Sequence, residues 1–260
     1  KNIQVWDQWC EEWCKAARRH TEIGDKALAE GHPLTAGTAY IRAALYYHWA
    51  TFLFVHDQKQ WRPAMEAMGE CWRKAAPLVE PRMELMEIPF EGTFLPAYFR
   101  KPAGVAKPPL VILVPGADST KEELFDFSDY ILKRGIATLA VDGPGQGLVS
   151  TRLKLRPDFE VPIRAVTDFI LKRDDVDGKR LAVGGISYGG LFACRAAAFD
   201  DRFKAVVSAS SWYTTAGRFP GMDPLSQIGL KQYMGENAED VQNSITMAGA
   251  AERLKVPLLQ

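Results

Sequence analysis

The stretch Gly185-Ile186-Ser187-Tyr188-Gly189 has the residue types and spacing that activate a serine. Gly-x-Ser-x-Gly describes a nucleophile elbow. The chain turns sharply from strand to helix, and the serine sits at the apex in a strained backbone conformation. Glycines on both sides let neighbouring main chain approach where a Cβ would clash. The serine Oγ is then exposed at the top of the sheet, above a helix N-terminus whose free N–H groups face a developing oxyanion. The chemistry is acyl transfer: attack on a carbonyl carbon, a covalent intermediate, then release to water. Five residues alone are a weak signal, because an ordinary strand-to-helix turn with a buried serine matches too. The context strengthens it: Leu181-Ala182-Val183-Gly184 reads as a strand, and Gly190-Leu191-Phe192-Ala193 opens a small-residue helix.

Such an elbow works with two N–H donors, one from the residue after the nucleophile and one from the loop after the third strand. Tyr188 supplies the first. The loop Pro115-Gly116-Ala117-Asp118-Ser119 follows the third predicted strand, which makes the Ala117 N–H the candidate for the second; the loop can also be read as a plain turn. Gly143-x-Gly145-x-Gly147 lacks the Lys-Ser/Thr of a P-loop and the full dinucleotide spacing, so it reads as a tight turn after the fourth strand. Cys10 and Cys14 lie four apart on one face of a helix, with no second Cys or His pair at matching spacing. They read as small buried apolar residues, and no metal or other cofactor is expected.

The elements that must position these residues fall into two groups. Trp6, Trp9, Cys10, Trp13 and Ala17 recur at helical spacing within Ile3 to Ala29. Further helices are expected from about Leu34 to Val55 and from about Gln58 to Leu78. After Pro81 the pattern changes. Glu84 to Pro89 and Thr93 to Lys101 form a hairpin around Glu91-Gly92. Strands are then expected at Leu110 to Val114, Ile136 to Val141, Arg180 to Ile186 and Lys204 to Ala209, with another starting at Val256. Helices are expected at Glu122 to Arg134, Val161 to Lys172 and Gly189 to Phe199. Near-continuous apolar strands alternating with helices imply a largely parallel sheet covered on both faces, with its active site at the carboxyl ends of the strands. The expected division is residues 1–82, a helical cap or dimerisation domain, and 83–260, a catalytic domain.

Lys+Arg and Asp+Glu both number 32, so nothing suggests attraction to nucleic acid or to an anionic membrane. The longest apolar stretch, Ala43 to Val55, is about half a bilayer span and contains His48, which reads as a buried helix. Four cysteines are too few for a disulfide scaffold at this length, and a reducing cytoplasm fits best. The partner expected is a small-molecule substrate.

Taken together, the motifs resemble the α/β-hydrolase superfamily. More narrowly, the chain looks like the group containing 2,6-dihydroxypseudooxynicotine hydrolase and the fungal pigment polyketide-shortening hydrolases. The narrower likeness lies in Arg42-Ala43-Ala44-Leu45-Tyr46-Tyr47-His48-Trp49 and Phe52-Leu53-Phe54-Val55. It continues in Ile88-Pro89-Phe90-Glu91-Gly92, Val114-Pro115-Gly116, Ser119-Thr120-Lys121-Glu122-Glu123, Asp142-Gly143-Pro144-Gly145-Gln146-Gly147 and the elbow. The resemblance implies a serine hydrolase with an N-terminal helical cap over the active site, dimeric through that segment. It acts on a carbon–carbon bond beside a ketone, or on an ester in close relatives. A carbon leaving group must be protonated. Asp223, in the stretch after the sixth strand read as irregular, is one possible donor. Trp212 and Tyr213 either line the pocket or belong to the core.

One feature departs from the family pattern. In this fold the order is Ser, then Asp/Glu, then His, and no histidine follows His56. Three expectations compete. The chain is part of a protein about 80 to 130 residues longer, by ordinary domain sizes, ending here near the seventh strand; or a helical-segment histidine such as His48 serves as base; or the chain is a non-catalytic relative whose helical segment binds or dimerises.

Overall fold

Small and apolar residues at helical spacing build the first of two compact units, Lys1–Leu85 and Met86–Gln260, in the computed structural model, which describes residues 3–260. Its helices are α1 (Trp9–Ala29), α2 (Pro33–Thr51) and α3 (Gln58–Ala75). The buried face of α1 carries Cys10, Cys14, Ala17, Gly24 and Ala27, one apolar stripe along the helix. A Cβ at Gly24 would lie 2.5 Å from Tyr40 Cε1, so this glycine is what lets the Tyr40 ring lie against α1. The helix begins later than its periodicity suggests, because Val5 is extended and Trp6–Gln8 form a 3-10 turn. The second helix stops at Thr51: Phe52 is extended and Leu53 takes φ 57°, so Phe54 and Val55 are buried outside any helix. The Asp57 carboxylate caps α3 by accepting from the Lys59 N–H at 3.0 Å. Pro77, with no N–H to give, ends it short of Leu78. Trp61 and Trp72 are almost wholly buried, and a ladder of rings runs Trp6–Trp9–Trp13–Tyr46. His48 is buried beside Trp49 and Phe52. The Cys10 and Cys14 thiols are buried and 4.0 Å apart.

The sheet contains β1 (Met83–Phe90), β2 (Thr93–Arg100), β3 (Leu110–Val114), β4 (Ala137–Val141), β5 (Leu181–Ile186), β6 (Phe203–Ala209) and β7 (Leu258–Leu259). Their spatial order is β1-β2-β4-β3-β5-β6-β7. β2 runs antiparallel to β4, and the pairs from β4 through β7 are parallel. The turn from β1 to β2 uses Glu91 at φ 45° and Gly92 at φ 76°, the left-handed pair a two-residue hairpin needs. Every residue of β4 is buried, as are all but one of β3, which is why both read as unbroken apolar runs.

The helices of this unit are α4 (Phe125–Leu132), α5 (Glu160–Ile170), α6 (Tyr188–Phe199), α7 (Pro224–Met234) and α8 (Ala238–Ser244). Phe159, at the N-cap of α5, stacks on Phe192 of α6 with ring centroids 4.0 Å apart. The helix expected from Glu122 opens instead as a 3-10 turn, Lys121–Leu124. The stretch after β6, expected to be irregular, holds α7 and α8. Asp223 is the N-cap of α7 and Pro224 its first residue, a start signal that the weak apolar periodicity of the helix hid. No described helix is long and apolar enough to cross a membrane.

Candidate active site

Ser187 stands between β5 and α6 at φ 58°, ψ −126°, a conformation a non-glycine residue holds only under constraint, at about 1–3 kcal/mol. Three backbone hydrogen bonds supply that constraint. The Ser187 N–H donates to the Ala209 carbonyl at the end of β6 (2.9 Å), and the Ser187 carbonyl accepts from the N–H groups of Gly190 (3.0 Å) and Leu191 (3.4 Å). Bare main chain fills the space beneath. A Cβ on Gly185 would lie 2.3 Å from the Gly189 carbonyl, and one on Gly189 would lie 2.2 Å from the Val114 carbonyl oxygen. The elbow therefore forms only because strand β5, helix α6 and the end of β3 meet backbone to backbone. Ser187 itself is half-buried.

Tyr188 is the first residue of α6, so its N–H is one of the helix's free amino-terminal donors. Its ring is buried edge-on against Trp212 at 5.6 Å. Burial pushes the phenol up to about 12, so it stays protonated through the neutral range. The loop after β3 comes directly to the elbow: a Cβ at Gly116 would stand 3.5 Å from Ser187 Cβ and 3.7 Å from the Ile186 carbonyl oxygen. The next residue, Ala117, is buried. The structure thus brings together the elbow and the loop that carries the second donor candidate. It also places the Asp118 carboxylate there, with Oδ1 3.3 Å from the same Gly116 Cβ position. Its charge reinforces burial in raising the Tyr233 phenol.

Two further groups around this loop were invisible to spacing arguments. Gln146, within the Gly143–Gly147 turn, is fully buried, with its Nε2 donating to the carbonyls of Pro115 (2.6 Å) and Gly116 (3.1 Å). Lys121, Glu122 and Asp142 form a buried ion cluster. Lys121 Nζ is 2.7 Å from Glu122 Oε1 and 2.8 Å from Asp142 Oδ2, and the Lys121 N–H donates to Asp142 Oδ1 at 2.6 Å. The Tyr98 hydroxyl donates to Glu122 Oε1 at 2.6 Å. Burial works against the Lys121 charge, but Asp142 and Glu122 outweigh it and hold the ammonium well above its ordinary value. Burial, helped by Glu122 and opposed by Lys121, pushes Asp142 up to about 6. The cluster fastens the far end of the β3 loop to the end of β4. In sequence, Lys121-Glu122-Glu123 looks like a solvated helix start, and nothing local shows that Asp142 faces it.

Asp223 is placed differently from the donor considered above. Its carboxylate accepts from the Ser226 N–H at 3.0 Å and the Ser226 hydroxyl at 2.6 Å. Those bonds hold it below the usual carboxylate range, the opposite of what a proton donor needs. Trp212 lies under the Arg218 guanidinium at 4.6 Å, while Tyr213 is 56% exposed and not a core residue. Gly145 takes φ 82°, and its N–H donates to the Leu153 carbonyl at 2.9 Å, so the Gly143–Gly147 segment is a turn.

Known proteins share this architecture. Residues 6–215 match the family described as Esterase FrsA-like. The chain is 35% identical over 200 residues to a 2,6-dihydropseudooxynicotine hydrolase of Paenarthrobacter nicotinovorans, covering 77% of this chain and 54% of that protein. It is 36% identical over 222 residues to the α/β-hydrolase pydG of an Acremonium species, covering 80% and 52%. The chain thus spans about half the length of these relatives. The crystal structure of the 2,6-dihydroxy-pseudo-oxynicotine hydrolase superposes with a TM-score of 0.90 at 28% identity, covering 99% of this chain and 74% of that one. The sheet order, the elbow and these likenesses agree: the chain has the α/β-hydrolase fold and belongs to the FrsA-like esterase family.

Proposed function

We propose that this chain carries the nucleophile and the oxyanion hole of a serine hydrolase. Ser187 Oγ attacks a carbonyl carbon, and the oxygen that becomes negative is met by the N–H groups of Tyr188 and Ala117. Collapse expels the leaving group, which takes up a proton, and water then releases the acyl group from Ser187. The single observation that carries this reading is the constrained Ser187 backbone at φ 58° with the Gly116 main chain packed against it. An unstrained turn would need neither. The favoured substrate is an aromatic or polyketide-like ketone cleaved at a carbon–carbon bond, in line with the resemblance to the hydrolase of Paenarthrobacter nicotinovorans; an ester is the near alternative. Four unpaired thiols support a reducing compartment such as the cytoplasm. The test is Ser187→Ala in the full-length protein. Turnover of aryl esters and aryl ketones should fall by about 10⁴-fold or more, and a fluorophosphonate adduct should map to Ser187 in the wild type. Retained turnover would end the proposal.

A second reading concerns assembly. Ile23 (45% exposed) and Leu34 (68%) border one groove of the helical unit with His20, Thr38 and Arg42. Apolar side chains so placed support a homodimer through this unit. Sedimentation of Leu34→Asp should then show a monomer where the wild type is a dimer; an unchanged state rejects it.

A further inference from the structure

We infer that Gln146 is the positioning residue that aims and polarises the Ala117 N–H, so that one oxyanion donor is set from the β4 loop. The inference rests on Ser187 as nucleophile and deepens that reading. Gln146 has no exposed surface, and its amide is used at both ends. Nε2 donates to the Pro115 carbonyl at 2.6 Å and the Gly116 carbonyl at 3.1 Å, and Oε1 accepts from the Gly143 N–H at 2.8 Å.

The Gly116 carbonyl and the Ala117 N–H belong to one peptide group. That group is planar and trans, so its C=O and N–H point in opposite directions. Gripping the oxygen therefore fixes where the N–H points. Gly116 would otherwise be the loosest joint of the loop, since it lacks a Cβ to restrict it. A donor on the oxygen also draws electron density toward it and leaves the N–H more positive, a better partner for an oxyanion. The Ser119 N–H adds a weaker contact to the same oxygen at 3.4 Å. Asp142 holds the loop's far end through the Lys121 N–H at 2.6 Å. Both grips come from the segment that follows β4, while the elbow supplies the surface, Ser187 and the Ile186 carbonyl, on which Gly116 rests.

The experiment compares Gln146→Met and Gln146→Glu with wild type in the full-length protein. Met keeps the length and removes both donors. Glu keeps the shape and donates only when protonated. With an aryl ester, kcat of Gln146→Met should fall about 10²-fold, the usual effect of losing one oxyanion donor, with KM within about threefold. The affinity of an aryl trifluoromethyl ketone should fall in parallel, because only its tetrahedral adduct puts an anionic oxygen in the hole. The activity of Gln146→Glu relative to wild type should fall as pH rises and the carboxyl loses its proton. A purely structural glutamine predicts an equal loss in KM and a ratio that, once divided by the folded fraction at each pH, is flat. If Gln146→Met does not fold, the pH ratio of Gln146→Glu decides. Wild-type rates in folded Gln146→Met, or a flat ratio in Gln146→Glu, overturn the inference while fluorophosphonate still labels wild-type Ser187. If wild-type Ser187 takes no label, the nucleophile reading fails and carries this inference with it.

Discussion

The two units differ in whether they bury ion pairs. In the helical unit the core is rings and small side chains, and the ion pairs lie outside: Arg73 with Glu70 and Arg62 with Glu66 leave both partners more than half exposed. In the sheet unit, Lys121, Glu122 and Asp142 are sealed in, each with at most 8% of its side chain exposed, and Arg100 is buried against Ser128 and Asp129. Exposed pairs contribute little, whereas buried charges are costly unless each finds its partner. That cost is accepted where the fold must hold a loop against the elbow, and avoided where it need only pack helices. One unit should therefore be fragile to the loss of a charge, and the other to the loss of a ring.

Lys121→Met is the most severe test. It strands two buried carboxylates, and urea unfolding should show a loss of about 3–5 kcal/mol; a loss under about 1 kcal/mol would erase the contrast. Trp72→Ala should cost the helical unit about 3–4 kcal/mol through the cavity it leaves, and a near-neutral outcome would mean that the ring core is not what holds those helices.

The third test is pH. Asp142 is raised from its ordinary 3.8 to about 6 by burial, with Glu122 adding and Lys121 opposing. A carboxyl with a raised folded pKa binds protons on folding between those two values. Its contribution to stability is largest below the lower one and falls as pH rises through about 6. Melting of wild type relative to Asp142→Asn should therefore shift in favour of the variant between pH 4 and 7; a constant difference would assign the proton elsewhere. The smallest effect is expected from Arg73→Ala, whose exposed pair with Glu70 should change stability by no more than about 0.5 kcal/mol. A larger loss would show that the helical unit also depends on its charges.

What sequence reasoning could reach follows from the range of the interactions involved. Leu110 to Val114 is legible to the residue, because a strand buried on both faces is apolar throughout. Glu91-Gly92 and the elbow were legible because a turn's demands fall on neighbours in the chain. α7 is hard to read from the sequence although Asp223-Pro224 spells its start, because its apolar spacing is poor. Gln146 and the Lys121 cluster could not be read at all. The partners that bury them lie 21 to 31 residues away, and a glutamine in a glycine turn or a lysine before two glutamates looks solvated until the sheet brings the segments together. For Asp223, the use as a helix cap lies within the four residues to Ser226, while suitability as an acid depends on surroundings that spacing does not show.

The glycines around the elbow set different limits on redesign. Beneath Ser187, Gly185 and Gly189 face carbonyl oxygens at 2.3 and 2.2 Å from where a methyl would go, so any side chain there must push main chain aside. Gly116 differs. A methyl there would meet Asp118 Oδ1 at 3.3 Å and Ser187 Cβ at 3.5 Å, tight but open to small adjustment. Of these three glycines, Gly116 on the loop side is therefore the one where a side chain could adjust the surroundings of Ser187 at least cost to the fold.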